Sequence, residues 1–257
     1  MEIVEKKTRL IVHIGMGKTG STSIQETLGH SSFKKNNDNT KYLGKGLELC
    51  KLNLYKWQSK IGIYEHLNDQ IPLDELYSVL KNELTNSKYR TLIWCNEIIF
   101  ERDKIRIKST LKKLLNEGHN ISILCYIRRH DSWINSAYKE WGIKNKSYNG
   151  KIKKFKEFLS QRDLNIFDKI QSWENSFKNN FHLFNYNSIE NVTEHFFSQI
   201  NIKFNESKDK NISNSFPITL ANLMYNSKFN RKIKSKEFYQ ILHDMNINPN
   251  GKPNLKN

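Results

Sequence analysis

Apolar residues recur along this chain with two periods, and the alternation between them defines its architecture. Four compact apolar runs read as strands: residues 10–14 (Leu-Ile-Val-His-Ile), 91–95 (Thr-Leu-Ile-Trp-Cys), 121–127 and 181–184. The run at 121–127 is continuous and rich in β-branched residues, as a central parallel strand requires. A further strand is expected near 41–43. Between these runs the spacing becomes helical. Ile24 and Leu28 follow the first run, and Leu73, Leu76, Leu80 and Leu84 follow Pro72, which suits a first turn. Ile107, Leu111, Leu114 and Leu115 precede Gly118, a helix stop. Ile134, Ala137, Tyr138 and Trp141 form a stripe on a helix starting near Asp131. Further amphipathic segments carry Ile152/Phe155/Leu159, Ile166/Ile170/Trp173/Phe177 and Val192/Phe196/Ile200. Residues 31–38 are polar and read as a loop, and one more helix is expected near 217–225. Strands alternating with helices predict an α/β fold, a central parallel sheet flanked by helices with right-handed crossovers. No internal repeat or second domain is visible, so residues 1–257 are expected to form one domain. Within it, residues 207–257 read as a basic extension whose last ten residues are disordered.

Composition narrows this little. The chain has 257 residues, 37% hydrophobic and 12% aromatic, enough to build a core. Its 42 Lys and Arg against 26 Asp and Glu give a net charge of +16, which favours anionic partners. Lys, Asn and Ile are abundant together, a mix that nucleotide bias in a gene can produce, so the charge permits an acidic acceptor without identifying one. Cys50, Cys95 and Cys125 form no C-x-x-C pair, and Cys95 and Cys125 read as small buried thiols. The first apolar run is too short for a signal peptide or a membrane span, so a cytoplasmic protein with no membrane span is expected.

Chemistry concentrates where the first strand ends. The stretch Gly15-Met-Gly-Lys-Thr-Gly-Ser-Thr-Ser23 breaks an apolar run into glycines, one lysine and a train of hydroxyls, then opens a helix. Such a loop cradles phosphate: glycines let the backbone approach the anion, N–H groups and the helix N-terminus point at it, and Lys18 adds a full charge. A nucleoside-triphosphatase loop places its lysine directly after the second glycine. Here Ser21 follows Gly20, and the lysine sits between the glycines. This arrangement resembles the 5′-phosphosulfate loop of the sulfotransferases that use 3′-phosphoadenosine-5′-phosphosulfate (PAPS).

A second constellation leaves the run at 121–127: Arg128-Arg-His-Asp-Ser-Trp-Ile-Asn-Ser136-Ala-Tyr138. In open parallel sheets ligands bind beyond the carboxyl ends of the strands, where an arginine can clamp phosphate with its planar fork. Ser136 falls roughly 150° from the centre of the apolar stripe on its helix, facing away from the packed side. The spacing R-x7-S-x-Y resembles the 3′-phosphate element of the same family. Two departures stand out. Arg129-His130 replaces the usual Asp/Asn-Pro, and Trp133 occupies a position where a second arginine is frequent, which weakens the cofactor contact unless Arg129 supplies that charge. At lower specificity, residues 92–97 resemble the strand that carries a glutamate into the acceptor cleft, and Phe167, Trp173, Phe177, Phe184 and Tyr186 resemble the approach to the last strand. The likeness covers about residues 9–28, 91–97 and 121–190 and is nearest the bacterial sulfotransferase-like group.

The resemblance implies transfer of a sulfuryl group from PAPS to a hydroxyl, with adenosine 3′,5′-bisphosphate as product and no metal. Gly17, Lys18, Thr19, Gly20, Ser21, Thr22 and Ser23 would bind the 5′-phosphosulfate, and Arg128 and Ser136 the 3′-phosphate. Lys18 would also meet charge developing on the bridging oxygen. Glu97 is the first candidate for general base, with His130 and His66 as alternatives; His13, inside the first strand, reads as packed. Trp133 and Trp173 could stack on adenine, although aromatics at helical spacing more often belong to a core. The acceptor is a hydroxyl compound, glycans among the candidates, and no nucleic-acid motif is present. A loop-dependent kinase or nucleotide hydrolase remains an alternative, opposed by the lysine position and by the lack of an Asp-ending Walker B strand. A non-catalytic polyanion binder is a further alternative. The sequence does not reveal the oligomeric state.

Overall fold

Five parallel strands form one sheet in the order β2–β3–β1–β4–β5: β1 Arg9–Gly15, β2 Thr40–Tyr42, β3 Thr91–Cys95, β4 Asn120–Ile127 and β5 Phe181–Asn185. In register, Leu10 lies beside Leu92 on one side and Ile121 on the other. This computed structural model describes residues 7–50, 73–101, 105–204 and 216–247. Pro72, His66, the span 51–70 and the tail 248–257 lie outside them. The strands expected at 10–14, 91–95, 121–127 and 181–184 are present, three of them extended by a residue or more, and the strand near 41–43 is β2.

Contacts divide the chain into two compact units, Met1–Arg128 with Asn165–Lys208 and Arg129–Leu164 with Asp209–Asn257. The first unit holds the sheet. On one face, Ile11, Ile93, Cys95, Leu124 and Tyr126 pack with Ile24 and Leu28 of α1 (Ser21–Gly29) and with Phe196, Phe197 and Ile200. Phe196 and Phe197 belong to α9 (Val192–Gln199). Alternation sends Leu10, Val12 and Ile14 to the other face, where all three are fully buried. There α5 (Ile105–Asn116) lies against β4, with α3 (Leu73–Asn86) and α8 (Ile166–Phe177) against α5, and the short helix α4 (Ile98–Glu101) lies against β1. Trp173 is fully buried and stacks on Phe177 with ring centroids 5.4 Å apart, so it belongs to this core.

The loop expected at 31–38 is a correction: Ser31–Asn36 is a short helix, α2. Its start is capped by the His30 ring, which accepts from the Ser32 N–H, and its one deeply buried apolar residue, Phe33, packs on Phe197 at 5.3 Å. A single buried residue leaves no periodic signal.

The second unit contains helices. In α6 (His130–Ala137), Trp133, Ile134 and Ala137 are buried. The backbone then continues as a π-helix over Tyr138–Lys144, so the expected stripe through Trp141 changes period at Tyr138. In α7 (Phe155–Ser160) the buried residue is Phe158, and Phe155 is exposed. Two helices end the described chain, α10 (Phe216–Ser227) and α11 (Ser235–Asp244). The second was not anticipated: only Phe238 and Leu242 of α11 are buried, amid lysines. Buried Lys146 stitches this unit together, its Nζ donating to the carbonyls of Gly150 and Phe229 at 2.5 and 2.6 Å.

Candidate functional site

The strand order fixes where a ligand can bind. From β1 the chain crosses to β2 on one side of the sheet, and from β4 it crosses to β5 on the other. The carboxyl ends of β1 and β4 are neighbours, so their loops diverge and open a crevice between them. The glycine loop leaves β1 and Arg128 leaves β4.

The loop conformation depends on two of its glycines. Gly15 has φ +147°, and a Cβ there would lie 2.4 Å from the Tyr126 carbonyl oxygen of β4. Gly20 has φ +80° and begins α1 with no side-chain cap; a Cβ there would lie 2.4 Å from Val192 Cγ1. Between them Lys18 also adopts a left-handed backbone, φ +68°. That conformation disfavours any residue with a Cβ by roughly 1–2 kcal/mol, so a glycine would be the cheaper occupant.

The other loop residues differ in what they offer. The Thr19 hydroxyl donates to the Met16 carbonyl at 2.6 Å and is fully buried, so its proton closes the loop. Met16 N–H in turn donates to the Tyr126 carbonyl at 2.9 Å, tying the loop to β4. Gly17, Ser21 and Ser23 are buried, and Thr22 is exposed. Arg128 reaches back from β4, donating from Nη1 to the Lys18 carbonyl at 2.9 Å, with its guanidinium 5.2 Å from the centre of the Tyr186 ring. The structure therefore brings Arg128 onto the glycine loop directly.

Glu97 sits just past the end of β3, where its carboxylate is shared. Lys45 Nζ donates to Oε1 at 2.5 Å and Gln25 Nε2, from α1, to Oε2 at 3.0 Å. Burial pushes the Glu97 carboxyl up, but the Lys45 charge and these hydrogen bonds outweigh it and hold it below the usual carboxylate range. Lys45 is itself placed by β3, because Trp94 Nε1 and Asn96 Nδ2 both donate to its carbonyl at 2.9 Å. Sequence reasoning missed Lys45 and Gln25. Gln25 lies one turn into the helix that the loop opens, which is the signal that could have found it; Lys45 has no local signature.

The histidines separate. His13 is fully buried beneath the site, its Nδ1 2.8 Å from Cys95 Sγ, and desolvation pushes its pKa down to about 4 against a smaller upward pull from Glu97. It is a packed histidine, as its strand position indicates. His130 belongs to the second unit, exposed at the start of α6 with Nε2 3.1 Å from the Leu164 carbonyl. Arg129 holds Asp131 in a two-point ion pair at 2.7 and 3.2 Å. Ser136 is half-buried in α6. Among the described residues no three His, Cys, Asp or Glu side chains gather as metal ligands would, and no helix is long and apolar enough to cross a membrane.

No family model and no curated protein matches the sequence. Solved structures with weak similarity include the tunicamycin resistance protein of Deinococcus radiodurans, with 12% identity over 78% of this chain and 99% of that one and a TM-score of 0.37. A sugar kinase from Janibacter sp. HTCC2649 has 12% identity over 76% and 95%, with a TM-score of 0.34. Retinol dehydratase, solved in a complex with retinol and PAP, has 9% identity over 93% of this chain and 64% of that one, with a TM-score of 0.30. Likenesses this loose assign neither substrate nor reaction.

Proposed function

We propose that this protein transfers the sulfuryl group of PAPS to a hydroxyl acceptor. The observation that carries the reading is a lysine held in left-handed backbone inside a glycine loop, with an arginine from the neighbouring strand bonded to that lysine's own carbonyl. The Arg128 guanidinium thus meets the loop that carries Lys18 where a helix N-terminus opens, which suits an anionic ligand. In the proposed arrangement the N–H groups of residues 17–22 and the hydroxyls of Ser21, Thr22 and Ser23 take the 5′-phosphosulfate, and Arg128 takes the 3′-phosphate.

The acceptor oxygen forms a bond to sulfur as the bond from sulfur to the phosphate oxygen breaks. The products are a sulfate ester and adenosine 3′,5′-bisphosphate. Lys18 meets the charge growing on the departing oxygen, as positioned cations do in phosphoryl transfer. Glu97, ionised at neutral pH, receives the acceptor proton. Its ion pair with Lys45 lowers its basicity, so transfer occurs late, when the new bond to sulfur has made the acceptor proton acidic.

Incubation with PAPS and a panel of hydroxyl compounds, read by mass for an added sulfuryl group, tests the activity. Lys18→Gly then separates chemistry from folding. It should lower turnover about 10²–10³-fold while raising stability by about 1 kcal/mol through relief of the left-handed backbone. Turnover near wild type would make Lys18 a solvated loop residue.

A further inference from the structure

The helix α10 is built inside out. Its buried residues are Asn222 and Asn226, while Phe216, Leu220 and Met224 are exposed by 79%, 43% and 62%. At four-residue spacing these three fall in one stripe, roughly 140° around the helix from the asparagines. The helix cannot easily roll to hide them. Asn226 Nδ2 donates to the Ile143 carbonyl at 2.5 Å and lies 3.4 Å from that of Lys144, at the end of the π-helix. Those terminal carbonyls need a partner inside the unit, and a rolled helix would leave them buried and unbonded at a cost of about 1–3 kcal/mol each. The polar face is therefore fixed inward and the apolar stripe outward.

Exposed Phe, Leu and Met in one line exceed what scattered surface residues require, so the stripe calls for an occupant. Its surroundings indicate which. Directly after the helix, Lys228, Arg231, Lys232, Lys234 and Lys236 are all exposed. Over residues 216–247 these five cations face only two acids, Glu237, which pairs with Arg231 at 2.6 Å, and Asp244. A second copy of the chain would bring the same cations against them. An anionic lipid surface answers both features. Apolar side chains on one helix line enter the boundary between headgroups and acyl chains, and lysines beside them sit at the phosphate level. We propose that α10 and the basic run after it dock this protein peripherally on anionic membranes, with Phe216, Leu220 and Met224 inserted. The docking does not depend on the reaction proposed above.

Co-flotation of the full chain with vesicles tests this. Wild type should float with vesicles of phosphatidylcholine containing about one-third phosphatidylglycerol and much less with phosphatidylcholine alone. The variant Phe216→Ser/Leu220→Ser/Met224→Ser should keep its helical circular dichroism and melting temperature, since the three side chains are exposed, and lose binding at least about tenfold. Lys232→Glu/Lys236→Glu should weaken binding to the anionic vesicles without altering the fold. Failure of wild type to float with anionic vesicles would overturn the proposal. So would equal flotation by the serine variant, which would reduce the surface to a non-specific polycation. A wild-type dimer in sedimentation that the serine variant abolishes would assign the stripe to a second copy instead.

Discussion

The helix after the glycine loop and the helix that opens the last described segment dispose of their polar residues in different ways. In α1, Ile24 and Leu28 pack on the sheet, and the buried polar residues, Ser21 and Ser23, are confined to the first turn, where N–H groups have no partner in the helix. In α10 the buried polar residues lie beyond the first turn, Asn222 at mid-helix and Asn226 in the last turn, and Asn226 donates to a carbonyl of another element, while Phe216, Leu220 and Met224 face out. A buried polar group at a helix start beside a glycine loop points to a ligand. One in the last turn that answers a backbone carbonyl of another element, as Asn226 does, points to architecture. Substitutions at the two places should therefore separate rate from stability.

The largest effect is expected at the site. Glu97→Gln keeps the shape and much of the hydrogen bonding with Gln25 and Lys45 but cannot take a proton. Sulfuryl transfer should fall about 10²–10⁴-fold, while the affinity for adenosine 3′,5′-bisphosphate, measured by calorimetry, stays within about threefold. Unchanged turnover would leave Glu97 as the ion-pair partner of Lys45 and nothing more.

His13 is an intermediate case, polar and buried in the middle of β1. Its pKa in the folded protein, about 4, lies below the usual 6.5, so the unfolded chain binds the proton more readily. Stability should be fully present above pH 6.5 and be lost as pH falls from there toward 4, by on the order of 3 kcal/mol. His195, whose pKa burial also lowers, adds to the loss in the same direction. Urea unfolding at stepped pH measures this. His13→Gln should flatten most of the slope; an unchanged slope would show that His13 is not its main source.

A smaller effect is expected in the second unit. Asn226→Ala removes the donor to the Ile143 carbonyl and should cost about 1–3 kcal/mol in chemical denaturation. Turnover per folded molecule should not change. A loss of rate there without loss of stability would break the contrast between the two helices.

This contrast also sets what the sequence could reveal. The runs that became β1, β3 and β4 are buried on both faces and read as unbroken apolar stretches, so their boundaries were legible to within a residue or two. Lys18 and Arg128 were legible because glycine spacing and strand ends are local features. The ion pair of Lys45 with Glu97 was not, since it joins residues 52 positions apart through the carbonyl of Lys45 that β3 holds. α10 was legible as a helix, but the face it buries was not, because the π-helix carbonyl that Asn226 answers exists only in the folded backbone.

The central claim, that the crevice between β1 and β4 holds a nucleotide with separate 5′ and 3′ anionic groups, is tested most directly by thermal shift without magnesium. Adenosine 3′,5′-bisphosphate at about 100 times its dissociation constant should stabilise the fold by roughly 2.7 kcal/mol. At the same concentration 5′-AMP, which lacks only the 3′-phosphate, should give a clearly smaller shift, and Arg128→Ala should bring the two together. Equal shifts from both ligands in the wild-type protein, or a larger one from ATP with magnesium, would contradict the account.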